Sequence, residues 1–399
     1  MNKVIILVFS ALILFCCNQP QVGEHREMNT IPIPGAWQLD SYLPLLQGKQ
    51  IGLVVNPSST ISDRHLVDTL AELRVNIKTI FAPEHGFRGE ADPGQKIENS
   101  IDQKTGIPVI SLYGKHRQPT PKEMADLDVV VFDIQDVGLR FYTFISTMHY
   151  VMQACAENHK SFIVLDRPNP NGYYVDGPVL DSAFQSFVGM HPIPMIHGLT
   201  VGELARMING EGWLGNMSCS LTVIPVKYYD HSTRYSLPVK PSPNLPNDRS
   251  IQLYASLCLF EPTKMSIGRG TLFPFQVIGF PDSSFGEFSF TPRSIPGMAT
   301  HPKYEEKQCF GVDLRTNDSI SSFTLSYLLK FYHRFNDESF FTNPHFFDLL
   351  AGTDQMRKQL LAGYNEKAIR KTWQPALEKY LKMRKKYLLY PDVTNPLKP

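Results

Sequence analysis

Ionisable and amide side chains recur in this chain directly after short β-branched runs, and each time beside Gly or Pro. Asn56-Pro57-Ser58 follows the first run. Pro83-Glu84-His85-Gly86-Phe87-Arg88-Gly89-Glu90 follows the second, and Tyr113-Gly114-Lys115-His116 the third. Asp133, Gln135, Asp136, Arg140 and Tyr142 follow the fourth; Asp166, Arg167, Asn169 and Asn171 follow the fifth. Asp, Asn, Gln and Arg bind hydroxyls and amides, and Tyr or Phe offers a stacking face, so the inventory suits a sugar. Glycoside hydrolysis needs one carboxyl group as acid and commonly a second as nucleophile or base. Glu84 lies between Pro83 and a His85-Gly86-Phe87 turn, where partial burial would raise its pKa toward acid/base work.

Plainer roles stand beside these. Glu84 could cap a helix or bind Arg88, and Glu90 is either a second carboxylate or a surface residue. Asp133 and Asp136 could serve the N-terminus of the next helix. Asp166 either binds ligand or pairs with Arg167. His197, before Gly198 and Thr200, either contacts substrate or orders its own loop.

Further along, Asn244 lies in the Pro-rich segment 241–246, and Glu261 precedes a Gly268-Arg269-Gly270 turn. Such a turn brings backbone close to a ligand and projects one guanidinium, which suits bidentate carboxylate recognition.

Several chemistries lack the motifs they require. No G-x-G-x-x-G follows the first strand, and G-x-x-x-x-G-K-[ST], G-x-S-x-G and H-E-x-x-H are all missing from the sequence. Dinucleotide binding, NTP binding and a serine-hydrolase elbow are therefore disfavoured. His85, His116, Asp133 and Asp136 could compose the site of a metal-dependent carbohydrate hydrolase or deacetylase. None of them forms an i,i+4 ligand pair, so neither a metal nor a cofactor is expected.

The elements that must position these residues alternate. Strands are predicted over 51–56, 77–82, 109–112, 129–132, 162–165 and 221–226. Helices are predicted over 64–73, 121–127 and 141–159, and a capping box at Thr200 and Glu203 opens another. Strands separated by helices predict an α/β fold, a doubly wound Rossmann-like parallel sheet. Ligands of such sheets bind outside the carboxyl ends of the strands, where these polar residues fall. We place this domain at 37–235 and an α+β auxiliary domain at 236–399, with helices over 250–260, 322–335, 354–364 and 366–388. The stretch KYLKMRKKY reads as a solvated helix face.

The 399 residues carry 39 Lys+Arg against 38 Asp+Glu, a formal net charge of +1. No global field gathers polyanions, and no nucleic-acid partner is expected. Cys155, Cys219, Cys258 and Cys309 form no CxxC pair and sit in apolar text, so buried free thiols are expected.

Residues 1–17 form an address: Lys3, an apolar run over 4–15, then Cys16-Cys17. The pattern resembles a bacterial lipoprotein signal with Cys17 as the lipidated residue, followed by a tether over 18–36. The expected location is the periplasm or cell envelope, with the membrane contacted through the lipid anchor only.

The motifs together resemble a bacterial family long filed as of unknown function, whose members include exo-β-N-acetylmuramidases of the NamZ type. The resembling segments are APEHGFRGE (82–90), SLYG (111–114), DIQDVGLRFYTF (133–144), LDRPNPNG (165–172), HGLTVGELA (197–205), PSPNLP (241–246) and SIGRGTLFPF (266–275). The resemblance implies a Rossmann-like domain, an auxiliary domain and an active site between them. It implies release of N-acetylmuramic acid from non-reducing ends of peptidoglycan fragments. On that view Glu84 is the catalytic carboxyl group and Glu90 the runner-up, with Arg269 or Arg140 pairing the lactyl carboxylate. A lipoprotein that binds muropeptides without cutting them is the alternative.

Overall fold

Four short runs in the first half are buried along most or all of their length, and they become the middle of one sheet. The computed structural model describes residues 31–84, 86–88, 99–215, 217–316 and 321–392. Cys17, His85 and Glu90 lie outside the described residues. The strands are β1 (Ile51–Val55), β2 (Ile77–Ala82), β3 (Ser100–Ile101), β4 (Pro108–Ser111), β5 (Val129–Asp133), β6 (Ser161–Leu165) and β7 (Ser220–Ile224). Their order is β7-β6-β5-β1-β2-β4-β3. All neighbours run parallel except β3, an antiparallel edge strand on β4 that the sequence reading lacks.

Alternation along the strands sends side chains to two cores. Val54, Phe81, Val130, Phe132, Phe162 and Val164 face helices α4 (Phe144–Glu157) and α5 (Val201–Gly210), meeting Ile145, Met148, Leu204 and Ile208. Leu53, Val55, Ile80, Val131, Ile163 and Leu165 face α1 (Leu39–Leu46) and α2 (Leu66–Glu72), meeting Tyr42, Leu66 and Leu70. Helices on both faces make the sheet doubly wound, as expected. The chain leaves β1 toward β2 on one side and returns as β5 on the other. The strand order therefore switches between β1 and β5, where open sheets of this kind form a crevice.

Local capping sets the helix starts. Thr120 makes a capping box with Glu123 before α3 (Pro121–Met124), and Thr200 makes one with Glu203 before α5. The helix predicted from residue 141 starts three residues later, because 141–143 form a turn that aims Tyr142 elsewhere. The helix predicted from residue 64 starts at Leu66, since Arg64–His65 pairs with Thr60–Ile61 as a tiny hairpin.

The second half carries α6 (Asp248–Leu257) and an antiparallel sheet of β8 (Val277–Phe280), β9 (Phe288–Phe290) and β10 (Cys309–Asp313), ordered β8-β10-β9. Helices α7 (Ser326–Phe335), α8 (Pro344–Ala351), α9 (Gln355–Leu361) and α10 (Glu366–Arg384) follow. The last helix and the chain after it lock onto the first half. The Tyr380 hydroxyl donates to the His197 carbonyl at 2.6 Å, and Arg384 donates to the Gly198 carbonyl at 2.6 and 3.0 Å. Lys379, Lys382, Lys385 and Lys386 form the solvated face expected of KYLKMRKKY, whereas Arg384 within it is fully buried. Cys155, Cys219, Cys258 and Cys309 are buried free thiols.

Candidate active site

The carboxyl edge of the sheet holds the polar residues that the sequence grouped, and it sorts them into two layers. The inner layer is buried and bonded mainly within itself. Arg167 donates to both oxygens of Asp133, at 2.6 and 2.9 Å, and to the Thr60 carbonyl. Asp166 is fully buried and accepts from the Thr200 and Tyr390 hydroxyls and from the Gly202 and Arg167 amides. Burial pushes its carboxyl up to about 6, against the pull of the Tyr390 and Thr200 hydrogen bonds. The Gln135 amide donates to the carbonyls of Asp136 and Pro168, and Asn169 donates to the Leu199 carbonyl.

Arg140 belongs to this inner layer as well. Its guanidinium is fully buried and donates to the carbonyls of Pro178, Ile193 and Leu350. That corrects its expected pairing with a substrate carboxylate: three carbonyls, one of them from α8, already hold the fork. Arg88 similarly does not bind Glu84. It bridges Asp68 and Asp102 at 2.9 Å each. The Arg88 hydrogen bond to Asp102 holds that carboxyl down at about 2 despite burial.

The outer layer lines a cavity of about 160 Å³ between the two halves of the chain. Glu84, on the loop after β2, and Tyr142, on the turn before α4, come from the first half. Asn244, Glu261 and Arg269 come from the second. Tyr113 stands near Glu84, and burial, then the Glu84 charge, raises the tyrosine above its usual pKa. Tyr142 is likewise raised by burial and by the nearby Asp136 and Glu84 charges, so both phenols stay protonated donors. The Tyr142 hydroxyl donates to the Pro241 carbonyl at 2.7 Å.

Gly268 and Gly270 adopt φ values of +78° and +81°, which lets the turn between them place Arg269 at the cavity. Arg269 pairs with Glu261 at 2.5 Å and keeps 31% of its side chain exposed. Asn244 donates to the Met298 carbonyl at 2.7 Å, while its amide oxygen finds no hydrogen-bond partner among the described residues. Behind Tyr142, His197 Nε2 faces Asp136 Oδ2 at 3.4 Å. His197 Nδ1 accepts from the Leu199 amide, so its loop-ordering role is met.

Aromatic residues that the sequence reading left out complete the walls. Tyr254 of α6 stands edge-on to Phe141, Tyr142 and Phe275, with centroids 4.7–6.3 Å apart. Its signal was available, since Tyr254 falls within a predicted helix. Phe346 and Leu350 also line the cavity, from α8, an element absent from the sequence reading. A second cavity, of about 410 Å³, adjoins the first and shares Phe144 and Ser242 with it. Asn56 and Arg88 border this one.

The described members of the proposed metal-ligand set, His116, Asp133 and Asp136, form no metal site with other described residues. His116 faces Glu123 at 3.1 Å, and Asp133 is held by Arg167. Among the described residues no group of three His, Cys, Asp or Glu is arranged to hold a metal ion.

A Rossmann-like sheet whose polar cleft is completed by a second α+β half defines the class. The chain belongs to the exo-β-N-acetylmuramidase NamZ family, whose N-terminal model matches residues 51–249 and whose C-terminal model matches residues 252–390. It is 39% identical over 373 residues to the peptidoglycan β-N-acetylmuramidase NamZ of Bacillus subtilis (strain 168), covering 88% of this chain and 89% of that protein. Two crystal structures of DUF1343 family proteins from Bacteroides fragilis NCTC 9343 share the fold. One is 46% identical with a TM-score of 0.84, covering 91% of this chain and all of that one. The other is 30% identical with a TM-score of 0.79, covering 90% and 99%.

Proposed function

We propose that this protein is an exo-acting glycosidase that releases N-acetylmuramic acid from the non-reducing ends of peptidoglycan fragments. The observation that carries the reading is the match to both halves of one exo-β-N-acetylmuramidase family across residues 51–249 and 252–390. A cavity that joins a carboxyl group from one half to an arginine from the other supports it.

In this reading Glu84 supplies the carboxyl group that protonates the departing glycosidic oxygen. Glu90 is the candidate for the second carboxyl role. Tyr113, a protonated phenol near Glu84, is placed to donate to that carboxylate. Arg269, held by Glu261, faces the lactyl carboxylate, the group that distinguishes N-acetylmuramic acid from N-acetylglucosamine. Charge-assisted, planar recognition of a carboxylate is what a guanidinium does best. The free amide oxygen of Asn244 accepts from the acetamido N–H or a hydroxyl.

The direct test incubates the protein with a disaccharide bearing N-acetylmuramic acid at its non-reducing end, with products followed by mass spectrometry. Release of the free sugar supports the proposal; measurable binding without any product would favour a non-catalytic muropeptide-binding protein.

An envelope location goes with this substrate. We propose that Cys17 is acylated after cleavage of residues 1–16, anchoring an exported enzyme. Among the described residues no helix is long and apolar enough to cross a membrane. Fatty-acid labelling that persists in Cys17→Ala would contradict the anchor.

A further inference from the structure

Exo-cleavage between two sugars needs a place for each. The smaller cavity, with Glu84 and Arg269, answers for the terminal sugar that is released. The adjoining cavity is larger, about 410 Å³ against about 160 Å³, and the two meet at Phe144 and Ser242. Together they fall within the volume typical of ligand pockets, roughly 300–1,000 Å³.

The second cavity has a chemistry of its own. Pro57, Pro241, Pro243 and Pro296 give it rigid C–H-rich walls, and Met298 adds an apolar thioether. Lys240, exposed at its rim, and Asn56, Arg88 and Ser242 are its polar members. A pyranose ring has the same division: apolar C–H faces and hydroxyl edges. A few polar groups set in apolar walls are the usual way a small-molecule site fixes orientation.

The walls are mechanically tied to the first cavity. Tyr142 holds the Pro241 carbonyl at 2.7 Å, and Asn244 holds the Met298 carbonyl at 2.7 Å. Arg88 sits four residues beyond Glu84 on the same loop, pinned by Asp68 and Asp102. One short loop therefore contributes Glu84 to the first cavity and Arg88 to the second.

We infer that the Pro57/Lys240/Pro243/Met298 cavity is the leaving-group subsite. It would bind the N-acetylated pyranose on the reducing-end side of the bond broken. The inference rests on the glycosidase reading above and adds the location and residues of the second half of the substrate.

Two substrates separate the cavities. One is the N-acetylmuramic acid disaccharide. The other is 4-nitrophenyl β-N-acetylmuraminide, whose weakly basic leaving group departs without help from a sugar subsite. Lys240→Ala and Met298→Trp are compared with wild type on both. The expected result is a fall in kcat/KM of about tenfold or more on the disaccharide, chiefly through KM for Lys240→Ala, with less than threefold change on the aryl substrate. Retained aryl hydrolysis also reports that each variant is folded. Unchanged disaccharide kinetics in Lys240→Ala, or equal losses on both substrates, would overturn the subsite. Failure of the wild type on both substrates would instead overturn the glycosidase reading, and the subsite with it.

Discussion

Arg269 and Glu261 meet at 2.5 Å across the cavity wall, and the pair stands at the end of a Gly-Arg-Gly turn that only positive φ values permit. Glu261 thereby fixes a guanidinium that keeps 31% of its side chain open and has no other hydrogen-bond partner among the described residues. A clamped, partly exposed arginine is a selective reader of carboxylates, because little side-chain entropy remains to be lost on binding.

Arg269→Gln should therefore weaken the enzyme mainly against substrates with the lactyl carboxylate. Hydrogen bonds to charged groups are worth about 1.5–3 kcal/mol, so kcat/KM should fall roughly ten- to hundredfold. Competition by an otherwise identical glycan ending in N-acetylglucosamine should be unchanged. Equal loss of affinity for both ligands would show that Arg269 serves the fold and not the carboxylate.

Asp133 and Arg167 form a buried pair beneath the cavity, not in it. Asp133→Asn leaves the guanidinium buried without its counter-charge, which typically costs about 3–5 kcal/mol. Urea unfolding should show a fall in unfolding free energy of that size, while the folded fraction keeps kcat/KM within about threefold. A large loss of kcat at unchanged stability would place Asp133 in the chemistry instead.

The Arg88–Asp102 contact has a pH signature. Asp102 is held down at about 2 by the Arg88 hydrogen bond, whereas an unfolded aspartate titrates near 4. A depressed carboxyl contributes stability that is present above the unfolded pKa and is lost as pH falls through the folded one. Wild type should lose about 1–2 kcal/mol from this group between pH 4 and pH 2. Arg88→Met should flatten that part of the difference curve, measured by chemical denaturation across pH. A parallel acid slope in both proteins would refute the assignment.

Much of this architecture was legible because it is local. Six strands, the box at Thr200, and the polar residues at the strand ends follow from periodicity and capping chemistry. Pairings across the chain were not. Asp166 and Arg167 are sequence neighbours, yet successive residues of an extended segment point opposite ways. Asp166 meets the start of α5 and Tyr390, while Arg167 reaches back to Asp133. Arg88 lies beside Glu84 in sequence but pairs with Asp68 and Asp102 from other elements. Arg140 has the composition of a ligand-binding residue and the burial of a core one, because the carbonyls that hold it come from residues 178, 193 and 350. Helix α8, PHFFDLLA, places Phe347, Leu350 and Ala351 in the core and Phe346 and Leu350 at the cavity, so its text lacks a clean polar face.

The central claim is that Glu84 performs proton transfer in a sugar-cleaving cavity. The most direct measurement is single-substrate turnover by Glu84→Gln beside wild type, with N-acetylmuramic acid release quantified by mass spectrometry and disaccharide affinity measured by calorimetry. General acid–base catalysis contributes typically 10²–10⁴-fold, so release should fall by at least about a hundredfold while affinity stays within about threefold. Release by Glu84→Gln within tenfold of wild type would contradict the account.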